Sequence, residues 1–311
     1  VSDCVNNKGK QLTTLLYDSY PPTEYFDNLA YFTHTNREEE ELLITPKVSY
    51  DEWQPEELAY SDENPTIISD TVTATLEKDG SCILQGPPGT GKSYTIASII
   101  SKYLCDNKSV CVATMANTGL IELAKQKPLA NDLSEGRIYK TSLKSDEGKL
   151  APGIKPAKKD LVVPKGSLLC TTFYKLSTIV GVNAESRSPE GMFDLIVIEE
   201  ASQAFLSTIV AFKSLGHKCL IVGDPMQLPP IVQGIGKKPE YDLWDATTQT
   251  NGMSAYALGT DIMSYRIITT FRLTPKSAEL TKMFYSNNFR SVKKEYIDFN
   301  GLNSKYFPRE G

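Results

Sequence analysis

Eight consecutive residues, Gly86-Pro87-Pro88-Gly89-Thr90-Gly91-Lys92-Ser93, fit the spacing G-x-x-x-x-G-K-[ST], and each fixed position has a chemical task. Glycines let backbone N–H groups turn inward and cradle phosphate oxygens. Lys92 supplies a point charge to the outer phosphates of a triphosphate, and Ser93 offers a hydroxyl to Mg²⁺. Tyr94 falls within the same binding segment, and the start of a helix there adds partial positive charge. A second constellation, Phe193 to Gln203, is an apolar run that ends in Glu199-Glu200. Mg²⁺ bridging phosphates takes one carboxylate, while a hydrolytic water needs another nearby to orient or deprotonate it. Glu199 is assigned to the metal and Glu200 to the water. The third, Leu220 to Pro230, runs straight into a polar turn and puts Gln227 where it can sense a γ-phosphate.

These groups need a scaffold that brings them to one edge. Ser81 to Gln85 reads as a short buried strand entering the glycine-rich loop, and Tyr94 to Tyr103 keeps apolar residues at helical spacing, the strand-loop-helix context such a loop requires. Further apolar or β-branched runs follow at 109–114, 167–171, 195–198 and 219–222, separated by helical or irregular segments. Short apolar strands spaced this way predict an α/β fold with a parallel sheet covered by helices on both faces.

The chain has 311 residues, 40% of them hydrophobic and 23% charged, with a net charge of −5. It can bury a sizeable core, and any grip on nucleic acid must come from a local basic surface rather than global attraction. Four of the six cysteines, Cys82, Cys111, Cys170 and Cys219, sit in apolar runs with no C-x-x-C spacing, which predicts buried reduced thiols and an intracellular, cytoplasmic setting. The two histidines, His34 and His217, are too isolated for a metal site or a triad. No apolar stretch approaches ~18 residues, so no membrane partner is expected. Residues 1–63 read as an acidic accessory region, carrying Glu38-Glu39-Glu40-Glu41 and Glu56-Glu57. Residues 124–166 read as a basic insertion with Lys155, Lys158, Lys159 and Lys165, either a surface loop or a segment touching nucleic-acid phosphates.

Taken in order, the three constellations and Thr270-Phe271-Arg272-Leu273-Thr274-Pro275 resemble the motifs of superfamily 1B helicases, most closely the nonsense-mediated-decay group and the nidovirus helicases. The resemblance covers about residues 64–291, and Met283-Phe284-Tyr285 is similar to the family's Phe-Tyr segment. It implies a RecA-like P-loop NTPase domain over 64–268, the start of a second RecA-like domain over 269–311, and ATP and Mg²⁺ as cofactors. The resemblance implies an ATP-dependent helicase or translocase that moves 5′ to 3′ on single-stranded DNA or RNA as partner, with the remainder of a longer parent chain supplying the second motor domain. By the same resemblance Arg272 reaches the γ-phosphate and stabilises its developing charge, while Asn117 and Thr172 hold strand phosphates; ordinary capping is the other reading of those two. The chain departs from the family pattern at Glu199, where the family has Asp, and at Thr270 and Thr274, where it has Gln and His. A regulatory P-loop switch acting on a protein partner is the alternative function.

Overall fold

The computed structural model describes residues 2–5, 11–14, 23–181, 191–230 and 251–293. Strands β1 (Ser2–Val5) and β2 (Gln11–Thr14) pair antiparallel with each other. The main sheet is built from β3 (Glu56–Leu58), β4 (Ser81–Gln85), β5 (Val110–Thr114), β6 (Ile138–Lys140), β7 (Lys155–Pro156), β8 (Leu168–Thr172), β9 (Leu195–Ile198), β10 (Cys219–Gly223) and β11 (Ser264–Ile267). Its 9 strands run in the order β3-β11-β4-β10-β9-β5-β8-β6-β7, and every neighbouring pair is parallel. Beyond it, β12 (Thr269–Thr270) pairs with β13 (Arg290–Ser291).

Side chains alternate across a strand, so one sheet feeds two cores. Cys82, Leu84, Val110, Val112, Leu168, Cys170, Val197, Leu220 and Val222 face a layer made by α2 (Ile67–Asp79), α3 (Lys92–Cys105) and α4 (Asn117–Ala124). Their neighbours Ile83, Cys111, Ala113, Leu169, Ile196, Ile198, Cys219 and Ile221 face α1 (Glu24–Thr35) and the helices Phe173–Ser177, Leu206–Lys213 and Gly252–Gly259. Burial on both faces explains why the central strands read as unbroken apolar runs. The fold is therefore α/β and RecA-like, with helices on both faces of a parallel sheet. The cysteines in β4, β5, β8 and β10 are buried and free.

The sheet is wider than the apolar runs in the sequence predict. β3 comes from the acidic N-terminal segment and pairs with β11, while β6 and β7 come from the basic segment and form the opposite edge. Edge strands of two or three residues carry too little apolar sequence to register as strands, and β11, Ser-Tyr-Arg-Ile, is fully buried despite its polar residues. The N-terminal segment also fills core: Tyr25, Leu29 and Phe32 pack with Phe173, Leu176, Ile209 and Phe212. Among the described residues no helix is long and apolar enough to cross a membrane.

Candidate nucleotide site

Three neighbouring strands, β4, β10 and β9, deliver their loops to one edge of the sheet. That is the end where open α/β sheets bind ligands, outside the carboxyl ends of the strands. After β4 the chain turns through Gly86 to Gly91 into α3, and the Gly86 N–H donates to the Gly223 carbonyl at 3.0 Å, tying the loop to the end of β10. Gly89 and Gly91 adopt φ +75° and +80°, which side-chain-bearing residues rarely do. A Cβ on Gly86 would lie 2.2 Å from Lys92 Cγ, so the lysine can fold back over the loop only because residue 86 is glycine. There Lys92 Nζ donates to the Gly86 carbonyl. Burial lowers the Lys92 pKa, opposed by the negative charges of Asp224, Glu199 and Glu200 and reinforced by Arg272.

Glu199 and Glu200 leave the end of β9 beside this lysine. Glu199 is 8% exposed, and burial pushes its carboxyl up to about 7, helped by Glu200 and resisted by Lys92 and the Ser93 hydroxyl. Glu200 is also raised, by burial first, while the Ala116 N–H and Lys92 pull it down. Its backbone is left-handed at φ +56°, a conformation costing a non-glycine residue about 1 to 3 kcal/mol. The buried atoms Glu199 Oε2 and Glu200 Oε2 have no hydrogen-bond partner within the protein. A buried carboxylate oxygen without a donor is costly. Two of them beside a hydroxyl and a lysine suit a divalent cation carrying phosphates, so Ser93 and Glu199 fit Mg²⁺ and the loop fits the polyphosphate.

The segment carrying Arg272 lies directly on the loop. Phe271 N–H donates to the Gly89 carbonyl at 2.8 Å, and the Thr270 hydroxyl donates to the Pro88 carbonyl at 3.2 Å. A Cβ on Gly89 would sit 2.3 Å from Arg272 Cβ, so this approach also depends on glycine. Arg272 thus stands on the same wall as the loop, one short strand after β11, with its side chain exposed. Tyr94 is 47% exposed, Phe271 is 43% exposed, and Tyr60 meets Phe271 edge to face at 5.1 Å. Gln227 is exposed and donates through Nε2 to Asp224 Oδ2 at 3.2 Å.

Two expected strand contacts have partners of their own. Asn117, at the start of α4, accepts through Oδ1 from Lys140 Nζ at 3.0 Å, and that buried lysine also bonds Glu147 at 3.1 Å. Thr172 caps the helix Phe173–Ser177, its hydroxyl accepting from Lys175 N–H at 3.4 Å. Of the basic residues, Lys165 pairs with Asp194 at 2.7 Å, whereas Lys155, Lys158 and Lys159 are exposed.

Sequence reasoning gave no role to Asp224, Gln85, Arg266 or Tyr285, although Asp224 and Tyr285 lie within motifs it singled out. Asp224, 1% exposed, accepts from Gln85 Nε2 at 3.0 Å, Met226 N–H at 3.1 Å and the Tyr285 hydroxyl at 2.7 Å. Gln85 Oε1 in turn accepts from Arg266 Nε at 2.7 Å, and the Arg266 guanidinium lies 5.6 Å from the Trp53 ring and 6.0 Å from the Tyr50 ring. The polar residue ending an otherwise apolar strand at Gln85 and the aspartate in the Gly-Asp-Pro turn were the available signals.

The chain is similar to several known proteins. A family model described as an AAA domain matches residues 129–234. The chain is 24% identical over 209 residues to "DNA-binding protein SMUBP-2" of Mesocricetus auratus, covering 52% of this chain and 21% of that protein. It is 25% identical over 168 residues to the "DNA replication ATP-dependent helicase/nuclease DNA2" of Saccharomyces cerevisiae, covering 53% of this chain and 11% of that protein. The chain thus spans about a fifth or less of these relatives. Among solved structures, an arterivirus nonstructural protein 10 (helicase) with DNA aligns at a TM-score of 0.41 and 13% identity, covering 71% of this chain and 43% of that one. The ordered motifs converge on one edge of the parallel sheet, and the relatives named above include an ATP-dependent helicase, so the chain is similar to superfamily 1 helicases.

Proposed function

We propose that this chain carries the nucleotide-binding half of an ATP-driven motor acting on single-stranded DNA or RNA. The observation that carries the reading is the pair of unpartnered, buried carboxylate oxygens on Glu199 and Glu200 beside Lys92 at the strand edge. The names of the relatives, a DNA-binding protein and an ATP-dependent helicase, support a nucleic-acid substrate.

In this reading backbone N–H groups of Gly86 to Gly91 hold the phosphates and Lys92 swings from the Gly86 carbonyl to the β- and γ-oxygens. Ser93 and Glu199 would hold Mg²⁺, which when bound would supply positive charge to neutralise the phosphate oxygens. Glu200 takes a proton from water as its oxygen bonds the γ-phosphorus and the bond to the β-γ bridging oxygen breaks. Gln227 and Arg272 meet the charge that develops on the γ-phosphoryl oxygens. The exposed rings of Tyr94 and Phe271 offer flat faces to a base. Thr172 ends β8 and Asn117 opens α4 after the adjacent strand β5; a contact of either with a nucleic-acid backbone would compete with the Lys140 bond and the helix cap they already make.

The test is binding of a fluorescent ATP analogue with Mg²⁺, followed by phosphate release with and without single-stranded DNA or RNA. Binding that Lys92→Ala abolishes is the expected result, because the phosphates lose their main point charge. Unchanged affinity in a folded Lys92→Ala protein would sink the reading.

A further inference from the structure

Tyr285 is the last residue of the helix Pro275–Tyr285, which follows Arg272. Its side chain reaches back under the nucleotide site, where its hydroxyl donates to Asp224 Oδ2 at 2.7 Å. The same oxygen accepts from Gln227 Nε2 at 3.2 Å. Two donors on one carboxylate oxygen occupy both of its lone pairs, so each limits where the other can sit. The other oxygen, Oδ1, is filled by Gln85 Nε2 and the Met226 N–H. Asp224 is therefore saturated: every acceptor position is used, and the carboxylate has no freedom to rotate without losing a partner.

The backbone of Tyr285 is anchored as well. Its carbonyl accepts from Arg266 Nη1 while Arg266 Nε holds Gln85, so the tyrosine and the glutamine that flank Asp224 are braced by one guanidinium. Burial and the neighbouring Asp224 raise the Tyr285 pKa, which keeps the hydroxyl a donor throughout the physiological range. The hydrogen bonds that run from Arg266 and Tyr285 through Asp224 end on the amide of Gln227.

We infer that Tyr285 is a positioning residue for γ-phosphate sensing, which holds Asp224 so that the Gln227 amide is presented to the nucleotide with its carbonyl oxygen and remaining N–H free. This deepens, and rests on, the proposed nucleotide site. The helix after Arg272 is thereby linked to the sensor loop by one hydrogen bond, and any movement of that helix relative to β10 changes how Gln227 is held.

The experiment compares binding of a non-hydrolysable Mg-triphosphate analogue with that of the diphosphate in the wild type, Tyr285→Phe, Gln227→Ala and the double variant. Phenylalanine keeps the ring and removes only the hydroxyl. Expected is a loss of about fivefold or more in triphosphate affinity for Tyr285→Phe, in line with losing a hydrogen bond to a charged group, with diphosphate affinity unchanged. In the Gln227→Ala background the Tyr285→Phe change should have no further effect on the triphosphate-to-diphosphate ratio, because residues acting through one another are non-additive. Equal weakening of both nucleotides, an unchanged ratio, or additive effects in the double variant would overturn the inference. Failure of the wild type to bind Mg-triphosphate, or binding that survives Lys92→Ala, would instead overturn the nucleotide site itself and the inference with it.

Discussion

At the scale of single residues the site is organised by unequal treatment of two adjacent glutamates. Glu199 is nearly sealed and Glu200 is held by a strained backbone near Ala116, which suits one to a metal and the other to a water. Replacing Glu200 by Gln keeps size and removes basicity. The expected protein binds Mg-ATP but hydrolyses it at least ~100-fold more slowly in a phosphate-release assay, as for loss of a general base. Turnover near the wild-type rate would place the base elsewhere. Glu199 also makes stability depend on pH without any ligand. Its carboxyl is raised from 4.5 to about 7, so the folded state binds the proton more tightly than the unfolded state. That contribution is fully present below about pH 4.5 and is lost as pH rises through about 7, a change of about 3 kcal/mol at most. Thermal melts at pH 5 and pH 8, without nucleotide or divalent cation, should show the wild type losing more stability with rising pH than Glu199→Gln. Identical pH dependence in the two would contradict the burial argument.

At the scale of elements the two edges of the sheet pose different questions. β7 ends one edge, and its Lys155 and Pro156 are residue types that blunt an edge strand against pairing with another chain. Lys155, Lys158 and Lys159 are nonetheless exposed together on that side and are available to phosphates. If they grip a single strand, reversing all three to Glu should weaken binding and flatten its salt dependence, by about 0.7 in log-log slope per lost phosphate contact. A fluorescence titration of a labelled oligonucleotide across a salt series measures this. An unaltered slope would leave these lysines as guards of the sheet edge alone.

At the scale of the whole molecule, the N-terminal segment and the sheet fold as one body. Tyr25, Leu29, Phe32, Trp53 and Leu58 are each less than a tenth exposed, and β3 covers the outer edge of β11. Burying side chains of this size is worth about 1.5 to 3 kcal/mol each, and five of them approach the whole stability of an ordinary domain. A chain beginning at Asn64 should therefore lose cooperative folding, seen as a broad or absent transition in thermal denaturation followed by circular dichroism. A sharp melt within a few degrees of the full chain would show that the segment is only an appendage.

The sequence by itself determined the local chemistry and the central sheet. The loop Gly86 to Ser93 is legible as a turn shaped to cradle phosphates because backbone geometry and residue type act within eight positions, and β4, β5, β8, β9 and β10 are legible because strands buried on both faces must be apolar throughout. Spacing could also pair Glu199 with Glu200, since neighbours in sequence need no fold to meet. What lay between distant segments was decided only by tertiary structure. No pattern in the chain joins Tyr50, Gln85, Asp224, Arg266 and Tyr285, yet parallel pairing sets β11, β4 and β10 side by side and closes their polar ends into one network. The same holds for β3, β6 and β7, whose two or three residues become strands because a neighbouring strand offers them hydrogen bonds, not because their own sequence asks for them.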